Sequence, residues 1–321
     1  MKNRKVILIL GPHRSGTSAL AGTLSQAGLR FSSDLLPPSE FNEKGYYEDS
    51  EIVDLNEKLL LKMGGNWHSP LPILKSQSQP SKYLEKAEQL LSDRLEEENH
   101  ICFKDPRFSI LFPFWQRVIR EMSEVELLPI INLRKPDYTI NSLIKRNNFS
   151  KEKSAFITSA YMIASERNTR ECRRHFVFLD DLIKSPERIL TELEAFIGIE
   201  LRRDVDFVDK GLLKANSKME LAVGKYSDLA HQVYVSLKEQ IETSFLDNTW
   251  EQLISIKKSD FVMQNEKINL RVILKGLIIL LKNPTNAISK LSFKNLRILF
   301  KALKEENKSS ILQNLKNLMK Q

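Results

Sequence analysis

The chain has 321 residues, 41% of them hydrophobic, a formal net charge of +8 and two cysteines. That length suits one large α/β core with an appendage, and so few cysteines exclude a disulfide-built scaffold. No run approaches the roughly 18 continuous apolar residues of a membrane span. The five apolar residues Val6 to Leu10 that follow the basic start MKNRK are too few for the core of a secretory leader, so a cytoplasmic location is expected. Cys102 lies in the apolar run ICF and reads as core packing. Neither it nor Cys172 has a second Cys or His at metal-ligand spacing, which argues against structural zinc. From Lys267 to Gln321 there are 12 basic and 2 acidic residues, so the whole basic excess sits in the tail.

Val6 to Leu10 reads as a buried strand, Gly11 to Gly16 as a sharp loop, and Thr17 as the start of a small-residue helix stopped by Gly28. Such a loop turns backbone N–H groups towards one point, where the helix dipole also favours an anion such as phosphate. The spacing from Gly11 through Gly16 to Thr17 and Ser18 almost fits a Walker A loop. Thr17, however, stands where that loop needs its lysine, so nucleoside triphosphate hydrolysis is the poorer reading. The strong cation of the loop is Arg14.

The run Arg14-Ser15-Gly16-Thr17-Ser18 after a buried strand resembles the 5'-phosphosulfate loop of sulfotransferases that use 3'-phosphoadenosine 5'-phosphosulfate (PAPS). By that resemblance Arg14 steadies the bridging oxygen, and the stretch Gly11, Pro12, His13, Arg14, Ser15, Gly16, Thr17 and Ser18 forms the cradle. Further on, LLPPSEFNEKGYYEDSEIVDLNE resembles a bacterial group of sulfotransferase-like proteins. Their Leu-Leu-Pro and Lys-Gly-Tyr-aromatic-Glu runs match Leu35 to Pro37 and Lys44 to Glu48. A helix is expected from about Asp49. Glu48 can be read as a first-turn glutamate complementing the helix dipole. The resemblance implies instead that it is the base that takes the proton of the acceptor hydroxyl.

Asn66 to Lys82 is loop-like, and such a stretch inside a compact domain is often a substrate loop. Trp67 and His68 could stack on a sugar or orient a hydroxyl, or could simply pack. Ile101 to Phe103 read as the next buried strand. It delivers Lys104, Asp105, Pro106 and Arg107 at its C-terminal end, where ligands of open α/β sheets collect. The resemblance implies that Lys104 offsets charge on the sulfonate oxygens, with Asp105 the rival base to Glu48 and Arg107 a partner for a carboxylate. Glu126 to Leu133 reads as a strand whose Pro129 suggests a strand start or a sheet edge. It is followed by Arg134, Pro136 and Ser142 in the pattern of the 3'-phosphate motif of PAPS enzymes, which makes Arg134 and Ser142 candidate ligands of that phosphate.

Lys153 to Arg173 is expected to be a covering helix, His175 to Leu182 a further strand with Asp180 and Asp181 as cap and fold residues, and Ser185 to Glu200 a helix with Pro186 early and Gly198 at its stop. Lys210-Gly211 and Lys214 only partly match a late basic segment that holds the nucleotide in some relatives. One helix is expected from Tyr226 to about Trp250.

The fold class expected is therefore α/β: a P-loop-like three-layer α/β/α domain with a mainly parallel sheet over residues 1–250, and a basic, amphipathic helical tail over 251–321. The tail could pack on a partner or lie on an anionic membrane surface; nucleic acid is not expected, since base-stacking aromatics are nearly missing from it. The resemblance implies transfer of a sulfonate from PAPS to a hydroxyl of a glycan, glycolipid or small alcohol, without a metal. A surface polysaccharide precursor is one plausible acceptor. The rivals are a nucleotide kinase or NTPase with a modified loop, and a non-catalytic carbohydrate- or membrane-binding protein that kept the fold.

Overall fold

In a computed structural model of the chain, the described residues are 4–40, 42–76, 80–96, 99–208, 224–239 and 243–255, all within the unit Met1–Ile256. The basic tail, Lys210-Gly211 and Lys214 lie outside them.

Four parallel strands form the sheet: β1 (Arg4–Leu10), β2 (His100–Lys104), β3 (Val125–Leu133) and β4 (His175–Phe178), in the order β2-β1-β3-β4. Buried on both faces, these strands read as continuous apolar runs, as parallel sheets do. The register pairs Leu8 with Phe103 on one side and Leu10 with Ile131 on the other. On one face Ile7, Ile9, Ile130 and Val177 pack with α1 (Thr17–Gln26), α8 (Leu179–Lys184) and α9 (Pro186–Ile197). On the other lie α5 (Phe108–Glu121) and α7 (Lys151–Asn168), giving three α/β/α layers.

Around this frame are α2 (Ser50–Lys62), α3 (Leu71–Leu74), a 3₁₀ turn at Ser81–Tyr83, α4 (Leu84–Leu95), α6 (Pro136–Asn147), α10 (Lys225–Lys238) and α11 (Thr243–Ile254). The strand order reverses at β1, since the chain passes to β2 on one side of it and to β3 on the other. Their carboxyl ends therefore leave the crevice in which open α/β sheets bind ligands.

The structure corrects several element boundaries. β3 is an interior strand, and Pro129 sits inside it. It is accommodated because the ladder to β4 starts only at Ile130, so on that side the proline interrupts no pairing. The stretch from His175 is a strand only to Phe178, and Leu179 to Lys184 turns into α8. α7 is a core helix rather than a cover: every residue from Ser154 to Glu166 is buried, because α5, α6, α10 and α11 all pack on it. Thr158, Ser159 and Ser165 return their hydroxyls to the carbonyls of Ser154, Ala155 and Tyr161 one turn back. The segment from Tyr226 is two helices, α10 and α11. Gly198 ends α9 in the left-handed conformation, as its position predicts.

The loop after β1 is held from two sides. Gly11 donates its N–H to Ser109 Oγ on α5 at 3.0 Å. Ser15 Oγ donates to the Asn132 carbonyl at 3.0 Å, and Asn132 Nδ2 donates to the Ser15 carbonyl at 2.9 Å. Gly11 has φ +141°, and a Cβ there would stand 2.2 Å from the Asn132 carbonyl oxygen. Gly11→Ala is therefore expected to cost about 2 kcal/mol or more, by backbone strain and by pushing the loop off β3. A thermal midpoint within a degree of the wild type would refute this account.

Candidate functional site

Helix α1 opens at Gly16, in the left-handed region at φ +92°, with no side-chain cap and no acidic residue in its first turn. By contrast α2 opens with Asp49, whose Oδ1 accepts from the N–H groups of Glu51 and Ile52 at 3.0 Å each. The first turn of α1 thus keeps free of any side-chain cap the amide donors that suit an anion, with Arg14 three residues before it. Arg14 itself has φ +69°, a conformation uncommon for a side chain of that size.

Its Nε donates to Ser142 Oγ at 2.9 Å, so the loop and α6 meet at this pair. Arg134 leaves β3, lies over the Tyr138 ring with 5.0 Å to the centroid, and feels the charges of both Arg14 and Asp180. Burial lowers the pKa of Arg14 and of Arg134, the latter further through Arg14. The residues matched to the two phosphate motifs are thus gathered on one side of the sheet, at its carboxyl end. Ser18 is used within the protein: its Oγ accepts from Asn42 Nδ2 at 3.1 Å and faces the Tyr46 carbonyl at 3.4 Å.

Glu48 precedes the Asp49 cap, outside α2, so the reading of it as a first-turn residue does not apply. It is buried. Lys104 Nζ lies 2.5 Å from its Oε1 and Arg107 NH1 3.5 Å from its Oε2. The backbone carries it there by crossing Leu36, whose N–H donates to the Glu48 carbonyl at 2.8 Å. Lys104, the last residue of β2, is itself buried.

Asp105 is fully buried with both oxygens bonded. Oδ1 accepts from the Arg107 N–H at 2.8 Å and from its NH1 at 2.9 Å, while Oδ2 accepts from Asn56 Nδ2 at 2.8 Å. Asn56 in turn accepts from Trp115 Nε1 at 2.8 Å. Arg107 also holds Glu57 at 2.8 Å. Burial alone would lower the pKa of Arg107, but Asp105, Glu48 and Glu57 outweigh it and the value is raised.

Arg146 reaches the site although no motif pointed to it, and His13, placed in the phosphate cradle by resemblance, packs into an aromatic cluster there. His13 is buried, with Trp67 4.5 Å and Tyr161 5.1 Å from its ring centroid, and its Nε2 has no hydrogen-bond partner among the described residues. The Asn66 to Ser69 turn, with Trp67 and His68, therefore does come to the phosphate loop. Arg146 lies over the other partner of that stack, 5.4 Å from the Trp67 ring centroid. The signal for it was its place one helical turn after Ser142. Among the described residues no group of three or more His, Cys, Asp or Glu is placed to hold a metal, and no helix is long and apolar enough to cross a membrane.

Burial first, then the cations Arg107, Arg146 and Lys104, hold the His13 pKa well below 6.5. Below pH 6.5 and above that lowered value, the unfolded chain binds a proton that the native protein does not, so stability falls as pH drops. His175, lowered mainly by burial, adds to the same slope. His13→Phe is expected to flatten the fall of the thermal midpoint below pH 6.5 relative to the wild type. An unchanged slope would show that His13 is protonated as readily in the native protein as in the unfolded chain.

No family model and no curated protein matches the chain. Among solved structures, it is similar to the sulfotransferase domain from the curacin biosynthetic pathway, at 14% identity and a TM-score of 0.46 over 74% of this chain and 99% of that one. It is also similar to the sulfotransferase domain from the Synechococcus PCC 7002 olefin synthase, at 16% identity and a TM-score of 0.36 over 79% and 95% of the two chains. A third neighbour is a sulfotransferase from Alicyclobacillus acidocaldarius, at 14% identity and a TM-score of 0.35 over 80% and 98%. These neighbours are sulfotransferases.

Proposed function

We propose that the protein transfers a sulfonate group from PAPS to a hydroxyl of an acceptor, leaving adenosine 3',5'-bisphosphate (PAP). The observation that carries this reading is the meeting of the two phosphate motifs: Arg14 of the loop bonds Ser142 of α6, and Arg134 is close enough to feel the charge of Arg14. Donors from the loop, from α6 and from the end of β3 can serve two anionic groups of one ligand. The residues fit it in kind as well. The uncapped α1 amides and the Gly11 turn suit a 5'-phosphate, and a guanidinium with a hydroxyl suits a 3'-phosphate.

PAPS supplies an activated sulfonate. Arg14 meets the charge gathering on the bridging oxygen as the bond from sulfur to the 5'-phosphate breaks. Glu48 takes the hydroxyl proton as the acceptor oxygen bonds to sulfur. Lys104, bonded to Glu48, can turn towards the sulfonate oxygens as their charge grows, which releases Glu48 to act as the stronger base. Asp105 serves better as the anchor of Arg107 than as a base, because three donors already occupy it.

Calorimetry with PAP and with ATP tests the reading. PAP is expected to bind and ATP to bind more weakly, with Arg134→Ala weakening PAP by about tenfold or more. Preference for ATP, with magnesium-dependent hydrolysis, would replace the proposal with a nucleotide hydrolase. For an acceptor that is turned over, Glu48→Gln is expected to lower kcat by roughly 10²- to 10⁴-fold while PAP affinity holds. Unchanged kcat removes Glu48 as the base.

A further inference from the structure

The guanidinium groups around the loop differ in their surroundings. Arg134 has Asp180 and Tyr138 beside it as well as Arg14, whereas the charges felt at Arg146 are those of Arg14, Tyr46, Glu48 and Arg107. Arg14 therefore stands between the two. Arg134 lies towards the Asp180 end and Arg146 towards the end that holds Glu48 and Lys104. The donors that fit PAP are Arg134, Ser142, Arg14 and the α1 amides. Arg146 is not among them, and it is near enough to Glu48 to feel that carboxylate's charge.

Arg146 is also unlike the other arginines near it. Arg107 pairs with three carboxylates, but among the described residues Arg146 forms no ion pair, and its polar partner is a neutral amide oxygen, Asn147 Oδ1, at 2.7 Å. It is half-buried, and burial together with Arg14 lowers its pKa to about 10. Trp67 holds it from below, and Trp67 is itself stacked on His13 and hydrogen-bonded through its carbonyl to the Tyr161 hydroxyl at 2.8 Å. A partly desolvated cation fixed in place beside a second cation, with no carboxylate of its own, is an arrangement completed by an anion.

We infer that Arg146, braced by Trp67, is the anion contact of the acceptor subsite, and that the acceptor is a hydroxyl compound bearing its own negative charge. The inference rests on the sulfonate-transfer reading for what lies beside the subsite. Phe149 and His68, whose rings are 5.4 Å apart, continue the aromatic wall from Trp67 and suit a ring next to that charge.

The test uses the full chain and two probes that differ in one group: 4-nitrophenyl β-glucuronide, with a carboxylate, and 4-nitrophenyl β-glucoside, with a hydroxymethyl. Each is titrated with and without saturating PAP. The glucuronide is expected to bind about tenfold or more tighter than the glucoside. Arg146→Gln is expected to erase that difference while leaving PAP affinity unchanged, and Arg146→Lys to restore part of it.

Equal affinity for the two probes, binding of neither, or a preference that survives Arg146→Gln overturns the inference. So does a tenfold loss of PAP affinity in Arg146→Gln, which would assign the residue to the nucleotide. If PAP fails to bind the wild type while the glucuronide preference and its dependence on Arg146 persist without it, the sulfonate reading falls and the anion subsite stands. Retention of the wild-type thermal midpoint in both variants checks that neither has simply unfolded.

Discussion

The reciprocal pair of hydrogen bonds between Ser15 and Asn132 is the constraint on which the site depends. A six-residue connection from strand to helix has many conformations open to it, and this pair, both members buried, fixes the loop to the neighbouring strand. Buried amide and hydroxyl groups are costly unless bonded, so the loop cannot lift away without exposing them to an apolar surround or to water. Because β3 also delivers Arg134 two residues after Asn132, the same attachment sets how far the two phosphate motifs stand from each other. Ser109 adds a third tether from the opposite layer.

Charge is distributed unevenly over what this frame holds. On the β2 side, Lys104 and Arg107 are met by Glu48, Asp105 and Glu57, and the network continues through Asn56 to the Trp115 indole in the core. Such a network is worth little as net stabilisation, since desolvation offsets the attraction, but removing one member leaves another buried and unpaired. It acts to hold Glu48 and Lys104 in one geometry. On the α6 side the balance is reversed. Arg14 and Arg146 repel one another, and burial lowers the pKa of both.

Much of this was legible in the sequence because it depends on local order. Apolar runs ending in Gly11, Lys104 and Arg134 mark strands whose carboxyl ends carry polar groups, and one parallel sheet then places all three together. The reversal of strand order that makes the crevice is not a local property, so Pro129 suggested an edge where the chain has an interior strand. α7 is expected as a cover, since helical periodicity does not say how many faces of a helix are buried. In place, the hydroxyls of Thr158, Ser159 and Ser165 bond to carbonyls of the same helix and Glu166 is held by Arg170 and Arg174, so this face packs as if apolar. Arg146 belongs to no motif, and the phosphate-loop stretch that contains His13 gives no sign of its aromatic neighbours. Their roles come from Trp67, which reaches them from a turn far away in the chain, and no spacing rule connects those positions.

The bond from Arg14 to Ser142 has one more consequence. An arginine side chain carries about 2 kcal/mol of rotamer entropy that a ligand must ordinarily suppress on arrival. Here the Nε is already engaged across 128 positions of sequence, so that freedom was surrendered when the chain folded. Preorganisation of this kind lets binding energy go into the contact itself. It also means that Ser142→Ala would loosen Arg14 in addition to removing a hydroxyl of its own from the phosphate-facing set.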